Sequence, residues 1–189
     1  MHIDKPLDRR AIDILNGGIE TTVQDYPGRR IGLGIPRSGP MDSLAFRIAN
    51  ILVGNDPGTE GLETTLMGCR LYFHASAIVA FAGAEAPISI DGKEVPMWQA
   101  VVVPSGSKVV IRSVKDKGFR VYMAVRGGFP DIPQYLGSKS TSMGLGGYQV
   151  RRISQNIGIL STFDDACLEG TCLDGWRSHF SRRLRIEIR

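Results

Sequence analysis

The sequence contains few of the residues that mark secreted, metal-bound or membrane-spanning proteins. It has three cysteines among 189 residues, an odd number that does not fit a disulfide-framed secreted domain. Cys167, Cys172 and His179 supply only three of the four ligands of a structural zinc site, so we expect no metal there and a buried Cys69. No run approaches ~18 apolar residues, and the charged N-terminus lacks the apolar core of a signal peptide. We therefore expect a cytoplasmic protein with no membrane association.

Histidine and known catalytic motifs are also scarce. The three histidines, His2, His74 and His179, are scattered, so a Ser-His-Asp triad has little support. The sequence has no GxxxxGK[ST] loop, no GxSxG elbow and no HExxH motif, which argues against ATP hydrolysis by this chain alone. The net charge of +4 is modest, and the arginines within 182–189 have no aromatic platform beside them. We therefore expect no nucleic-acid partner.

Glycine is abundant, at 23 of 189 residues against a usual ~7%, which favours many turns between short elements. Short β-prone runs recur at roughly 8–12-residue spacing, which predicts a mainly β fold built as a barrel or a sandwich. We favour a barrel with one helix covering an opening. The predicted strands are 11–15, 19–23, 31–35, 62–66, 70–74, 77–82, 87–90, 94–95, 99–103, 108–114 and 120–126.

Two turn sequences predict β-hairpins between successive strands. Asp91 and Gly92 form a dipeptide that favours a tight two-residue turn. Residues 104–107, PSGS, separate the next two predicted strands and suggest a second hairpin. Near the C-terminus, residues 185–188 alternate between charged and apolar side chains, as a half-buried strand does.

One helix is predicted within residues 38–55. Apolar residues recur there at helical spacing, and Asp42 stands where an N-cap residue belongs. Gly54 follows the last apolar residues and can adopt the left-handed conformation that ends helices. We predict a helix of about ten residues that begins near Asp42 or Ser43.

The segment before this helix is a candidate binding loop. Ser38, Gly39, Pro40 and Met41 combine turn chemistry with little side-chain bulk, so a ligand could approach the backbone. The helix N-terminus behind the loop offers unpaired N–H groups and a partial positive charge. The alternative is that Asp42 only caps a core helix and that the Gly-Pro pair only turns the chain.

Several polar residues lie within or beside the predicted strands. Gln24 and Asp25 follow a β-branched run, Glu63 lies inside a predicted strand, and residues 138–141 read SKST. Each has a structural alternative, because Gln24 and Asp25 could begin a turn and Glu63 could face solvent. The Ser/Thr run could bind its own backbone. The residues alone predict a β-rich domain with a ligand-sized site near the helix N-terminus.

From residue 17 to residue 149 the chain resembles the carboxyltransferase-domain family that is also called allophanate hydrolase subunit 2. This family includes one half of the carboxyltransferase domain of urea carboxylase (urea amidolyase) and a 5-oxoprolinase subunit. The resemblance implies a cyclophilin-like β-barrel. Seven motifs occur in the family's order: TTVQDYPGR at 21–29, SGPMD at 38–42, RIANILVGN at 47–55, LETT at 62–65, FAGA at 81–84, AVRGG at 124–128 and LGSKST at 136–141.

The resemblance also implies a reaction. A carboxyltransferase half moves a carboxyl group from carboxybiotin on a separate carrier domain to a small amide such as urea. It acts beside a companion half-domain subunit, and ATP is used elsewhere in the assembly. No metal is implied. On this basis we predict catalytic residues Asp42, Gln24 and Glu63 and substrate-binding residues Ser38, Gly39, Pro40, Met41, Asn50 and Ser138.

The C-terminal part departs from the family pattern. Residues 11–149 match the N-terminal part of the domain, whereas residues 150–189 do not continue the motif series. We therefore expect a shortened domain, with a barrel incomplete at its C-terminus and with residues 150–180 irregularly packed. Two alternatives follow, a subunit of an ATP-dependent 5-oxoprolinase acting on 5-oxoproline and an inactive module that only binds a partner.

Overall fold

The computed structural model describes residues 11–29, 34–142, 149–153, 156–160 and 184–187. The described elements are thirteen strands and one helix. They are β1 (Ala11–Asn16), β2 (Glu20–Gln24), α1 (Ser43–Leu52), β3 (Gly61–Thr65), β4 (Arg70–Phe73), β5 (Ala77–Gly83), β6 (Ile88–Ile90), β7 (Lys93–Val95), β8 (Ala100–Val103), β9 (Lys108–Ile111), β10 (Arg120–Val125), β11 (Gln149–Ile153), β12 (Asn156–Leu160) and β13 (Leu184–Glu187).

The strands form two antiparallel sheets. The six-stranded sheet has the order β13-β1-β4-β9-β6-β7, and the seven-stranded sheet has the order β12-β11-β2-β3-β10-β5-β8. This confirms the prediction of a mainly β fold with one helix among the described elements. The alternating strand at the C-terminus is also confirmed, since β13 pairs with β1 in antiparallel register.

One apolar core lies between the two sheets. The seven-stranded sheet contributes Leu62, Phe81 and Met123, and the six-stranded sheet contributes Leu71 and Phe73, all at most 1% exposed. Strand alternation explains this inner face, because every second residue of β3, β5 and β10 points toward the opposite sheet. The expected burial of Cys69 is confirmed, since it is 0% exposed. Burial raises the pKa of its thiol to about 12.

Helix α1 packs on the outer face of the seven-stranded sheet. Phe46 and Ala49 bury against β5 and β10, where Ala80, Ala82 and Ala124 let the helix approach closely. The Asp42 cap is confirmed, because its Oδ1 accepts hydrogen bonds from the backbone N–H groups of the first turn. The expectation that the helix covers a barrel opening was wrong. The alanines on the outer side of two adjacent strands create an apolar strip, and the helix buries its own apolar face there.

The two predicted hairpins have different outcomes. Asp91 and Gly92 adopt φ of 49° and 84°, as a tight two-residue turn requires, and β6 pairs with β7. The prediction of a hairpin at 104–107 was wrong, because β8 and β9 do not pair with each other. Strand β8 pairs with β5, whereas β9 pairs with β4 and β6. The Gly106 N–H donates to the Phe73 carbonyl, which directs the chain into the other sheet. A turn sequence predicts a change of direction but not the next partner.

Other predictions fall largely outside the described residues. Of the strand predicted at 31–35, only residues 34 and 35 are described, and neither is in a strand. The predictions for Cys167, Cys172 and His179, and the expected packing of residues 150–180, lie outside the residues whose side chains are described. Helix α1 spans ten residues, so no helix in the described ranges could cross a membrane.

Candidate functional site

A polar cluster occupies the outer face of the seven-stranded sheet beside α1. We define this outer-face cluster as Glu20, Glu63, Thr65, Arg120 and Tyr122. Sheet register brings its members together, since Tyr122 lies opposite Glu63 across β10 and β3, and Thr65 lies opposite both Arg120 and Glu20. These residues alternate with inward-facing core residues. The fold therefore presents a polar surface directly beside the helix N-terminus.

The loop before α1 is bound to this cluster through its backbone. The Met41 N–H donates to Glu63 Oε2 at 2.8 Å, and the Asp42 N–H donates to the Tyr122 hydroxyl at 2.7 Å. The Tyr122 hydroxyl in turn bonds to the Glu63 carboxylate. Two backbone N–H groups of the predicted binding loop and its cap residue are thus used within the protein.

Burial dominates the electrostatics of Glu63, which is 7% exposed. Removal from water raises the pKa of its carboxyl group, while hydrogen bonds from Met41 and Tyr122 and the charge of Arg120 act in the opposite direction. Arg120 Nε lies 3.3 Å from Glu63 Oε1, but its N–H is not aligned for a hydrogen bond. Glu63 is therefore a buried carboxyl group whose proton affinity exceeds that of an ordinary glutamate.

Tyr122 keeps its proton in this environment. Burial and the neighbouring charge of Glu63 raise the pKa of its hydroxyl above the ordinary value of 10. A neutral hydroxyl can donate to Glu63 and accept from Asp42 at the same time. The ring also packs edge-on against Phe46 of α1, with centroids 5.8 Å apart. Tyr122 thus connects β10 both to the loop and to the helix.

Asp42 has one carboxylate oxygen that the cap does not use. Oδ1 accepts from the N–H groups of Leu44 and Ala45, each at 3.0 Å. Oδ2 accepts no hydrogen bond from the described residues, and the side chain is exposed. A partner outside the protein could therefore reach this oxygen without breaking the cap.

A second group of hydrogen bonds gathers residues 138–140 around Asp25. The hydroxyls of Ser138 and Ser140 both donate to Asp25 Oδ1 at 2.5 Å, and the Lys139 N–H donates to Oδ2 at 2.7 Å. The Lys139 ammonium group points elsewhere and pairs with Glu60 at 2.7 Å. Ser138 is therefore held in a carboxylate-centred loop.

Arg29 links this carboxylate-centred loop to the loop before α1. Its side chain is 1% exposed, and it donates to Ser38 Oγ at 2.6 Å and to the Ser140 carbonyl at 2.5 Å. Its guanidinium group lies over the Tyr135 ring, 5.6 Å from the centroid. Ser38 adopts a φ of 55°, which is uncommon for a residue with a side chain. The two loops therefore form one unit connected by a buried cation.

Gln24 lies beside this unit and has an unusual amide environment. Its Nε2 donates to Thr22 Oγ1 at 2.9 Å and to the Thr141 carbonyl at 3.2 Å. Its Oε1 is buried and has no hydrogen-bond partner among the described residues. A buried acceptor without a donor is rare, because the lost hydration is not replaced.

The predicted site residues do not all come together. Met41 bonds directly to Glu63, and Asp42 is connected to Glu63 through the Tyr122 hydroxyl. Ser38, Gly39 and Pro40 continue the same loop. Arg29 joins this loop to the loop that contains Ser138. Asn50 is different, since its amide donates to the Thr59 carbonyl and accepts from Asn55 near the helix C-terminus. We therefore leave Asn50 out of the site.

Sequence reasoning missed Glu20, Thr65, Arg120 and Tyr122 of the outer-face cluster, and it missed Arg29. Tyr122, Arg120 and Arg29 matter most for the loop and its surroundings. The sequence did contain a sign of Arg120 and Tyr122. In β10 they alternate with apolar residues on the same side as Ala124, so two polar side chains share the outward face of that strand. Arg29 ends the TTVQDYPGR motif at 21–29, and only its burial distinguishes it from a surface arginine. No group of three or more His, Cys, Asp or Glu residues in the described part of the chain is arranged to hold a metal ion.

Comparison with known proteins identifies relatives of this chain. The family described as "Carboxyltransferase domain, subdomain A and B" matches residues 33–167. Urea amidolyase of Saccharomyces cerevisiae is 44% identical over 146 residues, which is 75% of this chain and 8% of that protein. A 5-oxoprolinase subunit of Escherichia coli is 36% identical over 145 residues, which is 74% of this chain and 46% of that protein.

A solved structure shares the fold. The crystal structure of the Kluyveromyces lactis urea carboxylase matches with a TM-score of 0.71 and 37% identity, over 76% of this chain and 13% of that one. The chain thus spans less than half of each of these relatives.

Proposed function

Because this chain belongs to the carboxyltransferase domain, subdomain A and B, family, we propose that it is part of one half of a biotin-dependent carboxyltransferase that acts on a small amide. The resemblance noted in the sequence motifs is confirmed by this membership. The observation that carries the proposal is the 44% identity to Saccharomyces cerevisiae urea amidolyase over 146 residues. The family match over residues 33–167 includes the loop before α1 and four of the five members of the outer-face cluster, all but Glu20.

We propose urea as the acceptor and carboxybiotin on a separate carrier domain as the carboxyl donor, with ATP used elsewhere in the assembly and a companion half-domain as partner. The acceptor nitrogen must lose a proton, and the charge that develops on neighbouring oxygens must be stabilised. The exposed Oδ2 of Asp42 suits this chemistry, because it can accept a hydrogen bond from an amide N–H.

The geometry supports separate roles for the two carboxylates. We assign Asp42 to the contact with the acceptor amide and to the removal of its proton, since the side chain is exposed and the cap uses only its first oxygen. We assign Glu63 to the positioning of Asp42, since it is buried and bound to the Met41 N–H and the Tyr122 hydroxyl. We place Gln24, Ser38 and the Ser138 loop beside this contact, since Arg29 bonds to Ser38 and Ser140 and Gln24 bonds to the Thr141 carbonyl.

A chimera tests this proposal. The matching 146-residue segment of Saccharomyces cerevisiae urea amidolyase is replaced by the residues of this chain, and urea-dependent ATP hydrolysis is measured beside the parent enzyme. We expect the folded chimera to keep activity within about ten-fold of the parent, since one ten-fold step is about 1.4 kcal/mol in the barrier. A folded chimera with no urea-dependent turnover would exclude carboxyl transfer to urea.

A second candidate is a 5-oxoprolinase-type function. The chain covers 46% of the Escherichia coli 5-oxoprolinase subunit, a larger share than it covers of the yeast enzyme. The same replacement in that bacterial protein, assayed for 5-oxoproline-dependent ATP hydrolysis with the rest of the enzyme present, separates the two functions. Activity only in this second chimera favours the 5-oxoprolinase type. Two folded chimeras that assemble but do not turn over favour an inactive, partner-binding module.

A further inference from the structure

A cavity of about 560 Å³ lies apart from the site described above. It opens between the link from β5 to β6, strand β7 and the segment that follows β7. Since β7 and β8 are edge strands of different sheets among the described residues, the cavity lies where the two sheets separate. Its volume falls within the range of roughly 300–1,000 Å³ that small-molecule sites occupy. No predicted site residue and no member of the outer-face cluster lines it.

The inner part of the cavity is apolar. Ala86 and Ile88 are 5% and 1% exposed and belong to the main core. Val95 and Met97 are half-buried and pack against the same core. The flexible thioether of Met97 can adapt to different ligand shapes. These four residues form an apolar floor of the cavity, and their packing in or against the core holds them in place.

Trp98 is held at the cavity in an uncommon backbone conformation. Its φ is 63°, in the left-handed region that bulky residues rarely adopt, and its N–H donates to the Phe81 carbonyl at 2.7 Å. Its side chain remains 46% exposed. Strained residues with exposed functional side chains cluster at ligand sites. An indole face attracts both apolar groups and organic cations.

The charged residues that line the cavity have an excess of negative charge. Lys115 Nζ pairs with Glu85 Oε1 at 2.8 Å, so these two charges balance. Glu94 is the third charged lining residue, and its charge contributes to raising the pKa of Lys115, after the larger effects of Glu85. Glu94 accepts no hydrogen bond from the described side chains. The lining therefore carries one more carboxylate than ammonium groups, and this net negative charge favours a ligand cation.

We propose that this cavity binds a small amphipathic cation, with its apolar body over Ile88, Met97 and Trp98 and its protonated amine facing Glu94. The ligand class follows from the combination of an apolar floor, an exposed indole and a net negative charge on the lining side chains. The proposed site is independent of the carboxyltransferase assignment.

Fluorescence of Trp98 tests the proposal directly. The chain has two tryptophans, so Trp176→Phe leaves Trp98 as the only indole reporter. We expect phenethylammonium to quench this fluorescence saturably, with at least about ten-fold tighter binding than 3-phenylpropionate, which has the opposite charge, since ten-fold is about 1.4 kcal/mol. Calorimetric titration of the unsubstituted chain with both probes gives a second readout. Equal affinity for the two probes, or no saturable response to phenethylammonium, would overturn the proposal.

Matched variants show whether Glu94 supplies the selectivity. Glu94→Gln should weaken phenethylammonium binding about two- to five-fold, the range of an exposed charge contact. Asp116→Asn removes a neighbouring exposed carboxylate that does not line the cavity and should leave affinity unchanged. Circular dichroism confirms that each variant is folded. Unchanged affinity in Glu94→Gln, or an equal loss in Asp116→Asn, contradicts the proposed amine position.

Discussion

The two faces of the seven-stranded sheet are built from the same strands but differ in chemistry. In β10, Val121, Met123 and Val125 point inward and are at most 1% exposed, whereas Arg120 and Tyr122 point outward. The inner face is mostly apolar, and its buried threonines, Thr21 and Thr64, bond through their hydroxyls to backbone carbonyls. The outer face is divided between an apolar strip under α1 and the outer-face cluster beside it.

This difference separates the determinants of the fold from those of the site. The inner face gains its stability mainly from apolar burial, which is non-directional and needs no specific partner. On the outer face, burial of Glu63 carries a desolvation cost that only suitable hydrogen bonds offset. Its partners include the backbone of Met41 in the loop before α1. The inner face thus decides whether the sheet forms, and the outer face decides where the loop and Asp42 lie.

The largest loss of stability is expected for a substitution on the inner face. Phe81 is 0% exposed, so Phe81→Ala should lower the free energy of unfolding by about 3–5 kcal/mol through lost burial and a residual cavity. Urea denaturation measures this change. Val102→Ala is the matched control, because Val102 is 65% exposed in β8 and should cost no more than about 0.5 kcal/mol. Similar losses in both variants would contradict the separation of the faces.

An intermediate effect is expected at Tyr122. Tyr122→Phe keeps the ring against Phe46 but removes the acceptor of the Asp42 N–H and a donor to Glu63. We expect a loss of about 1–2 kcal/mol in urea denaturation, as for a buried hydrogen bond left incomplete. Tyr72→Phe on the other sheet serves as control and should change stability by less than about 0.5 kcal/mol. If Tyr122→Phe is as stable as the original chain, the hydroxyl does not hold the loop.

The smallest expected effect is the contribution of Glu63 to the pH dependence of the free energy of unfolding. Its pKa is raised above the ordinary value of 4.5, so between the two values the folded state binds more protons than the unfolded state. The free energy of unfolding therefore decreases as pH rises through this window. Glu63→Gln cannot titrate, so its stability relative to the original chain should increase from about pH 4 to pH 7. Urea denaturation across that range measures the difference.

Glu85 provides a control of opposite sign. Its pairing with Lys115 lowers the pKa of its carboxyl group, so its contribution is present above the ordinary pKa and is lost as pH falls. Glu85→Gln should therefore lose relative stability as pH rises, by a small amount because the pair is exposed. If the stability of Glu63→Gln relative to the original chain does not change with pH, Glu63 has an ordinary pKa in the folded chain.

Local sequence signals predicted much of the fold. The Asp42 cap and Gly54, with its φ of 79°, predicted the bounds of α1 because both act within one helical turn. The Asp91-Gly92 dipeptide predicted the β6–β7 hairpin for the same reason. The PSGS turn at 104–107 led to the wrong prediction of a β8–β9 hairpin. The pairing of β9 with β4 depends on residues far away in sequence, which a local turn does not reveal.

The site was only partly predictable. The loop and Glu63 were identified as polar or turn-forming features of the sequence. Tyr122 and Arg29 were missed, because an aromatic residue in a strand and an arginine in a turn have ordinary structural explanations. Their importance comes from burial beside carboxylates and loop backbone, which only the folded arrangement shows. Asn50 was selected for its amide, which in fact binds Thr59 and Asn55.

The most direct test of the account uses Asp42→Asn in the yeast urea amidolyase chimera, with melting temperature and urea-dependent ATP hydrolysis measured together. Asparagine keeps the cap, whereas the companion variant Asp42→Ala loses it at a cost of about 0.5–2 kcal/mol. We predict a near-normal melting temperature for Asp42→Asn and a loss of turnover of at least about 100-fold, since proton transfer by a positioned group contributes about 10²–10⁴-fold. Unchanged turnover would show that Asp42 only caps α1 and would contradict the site assignment.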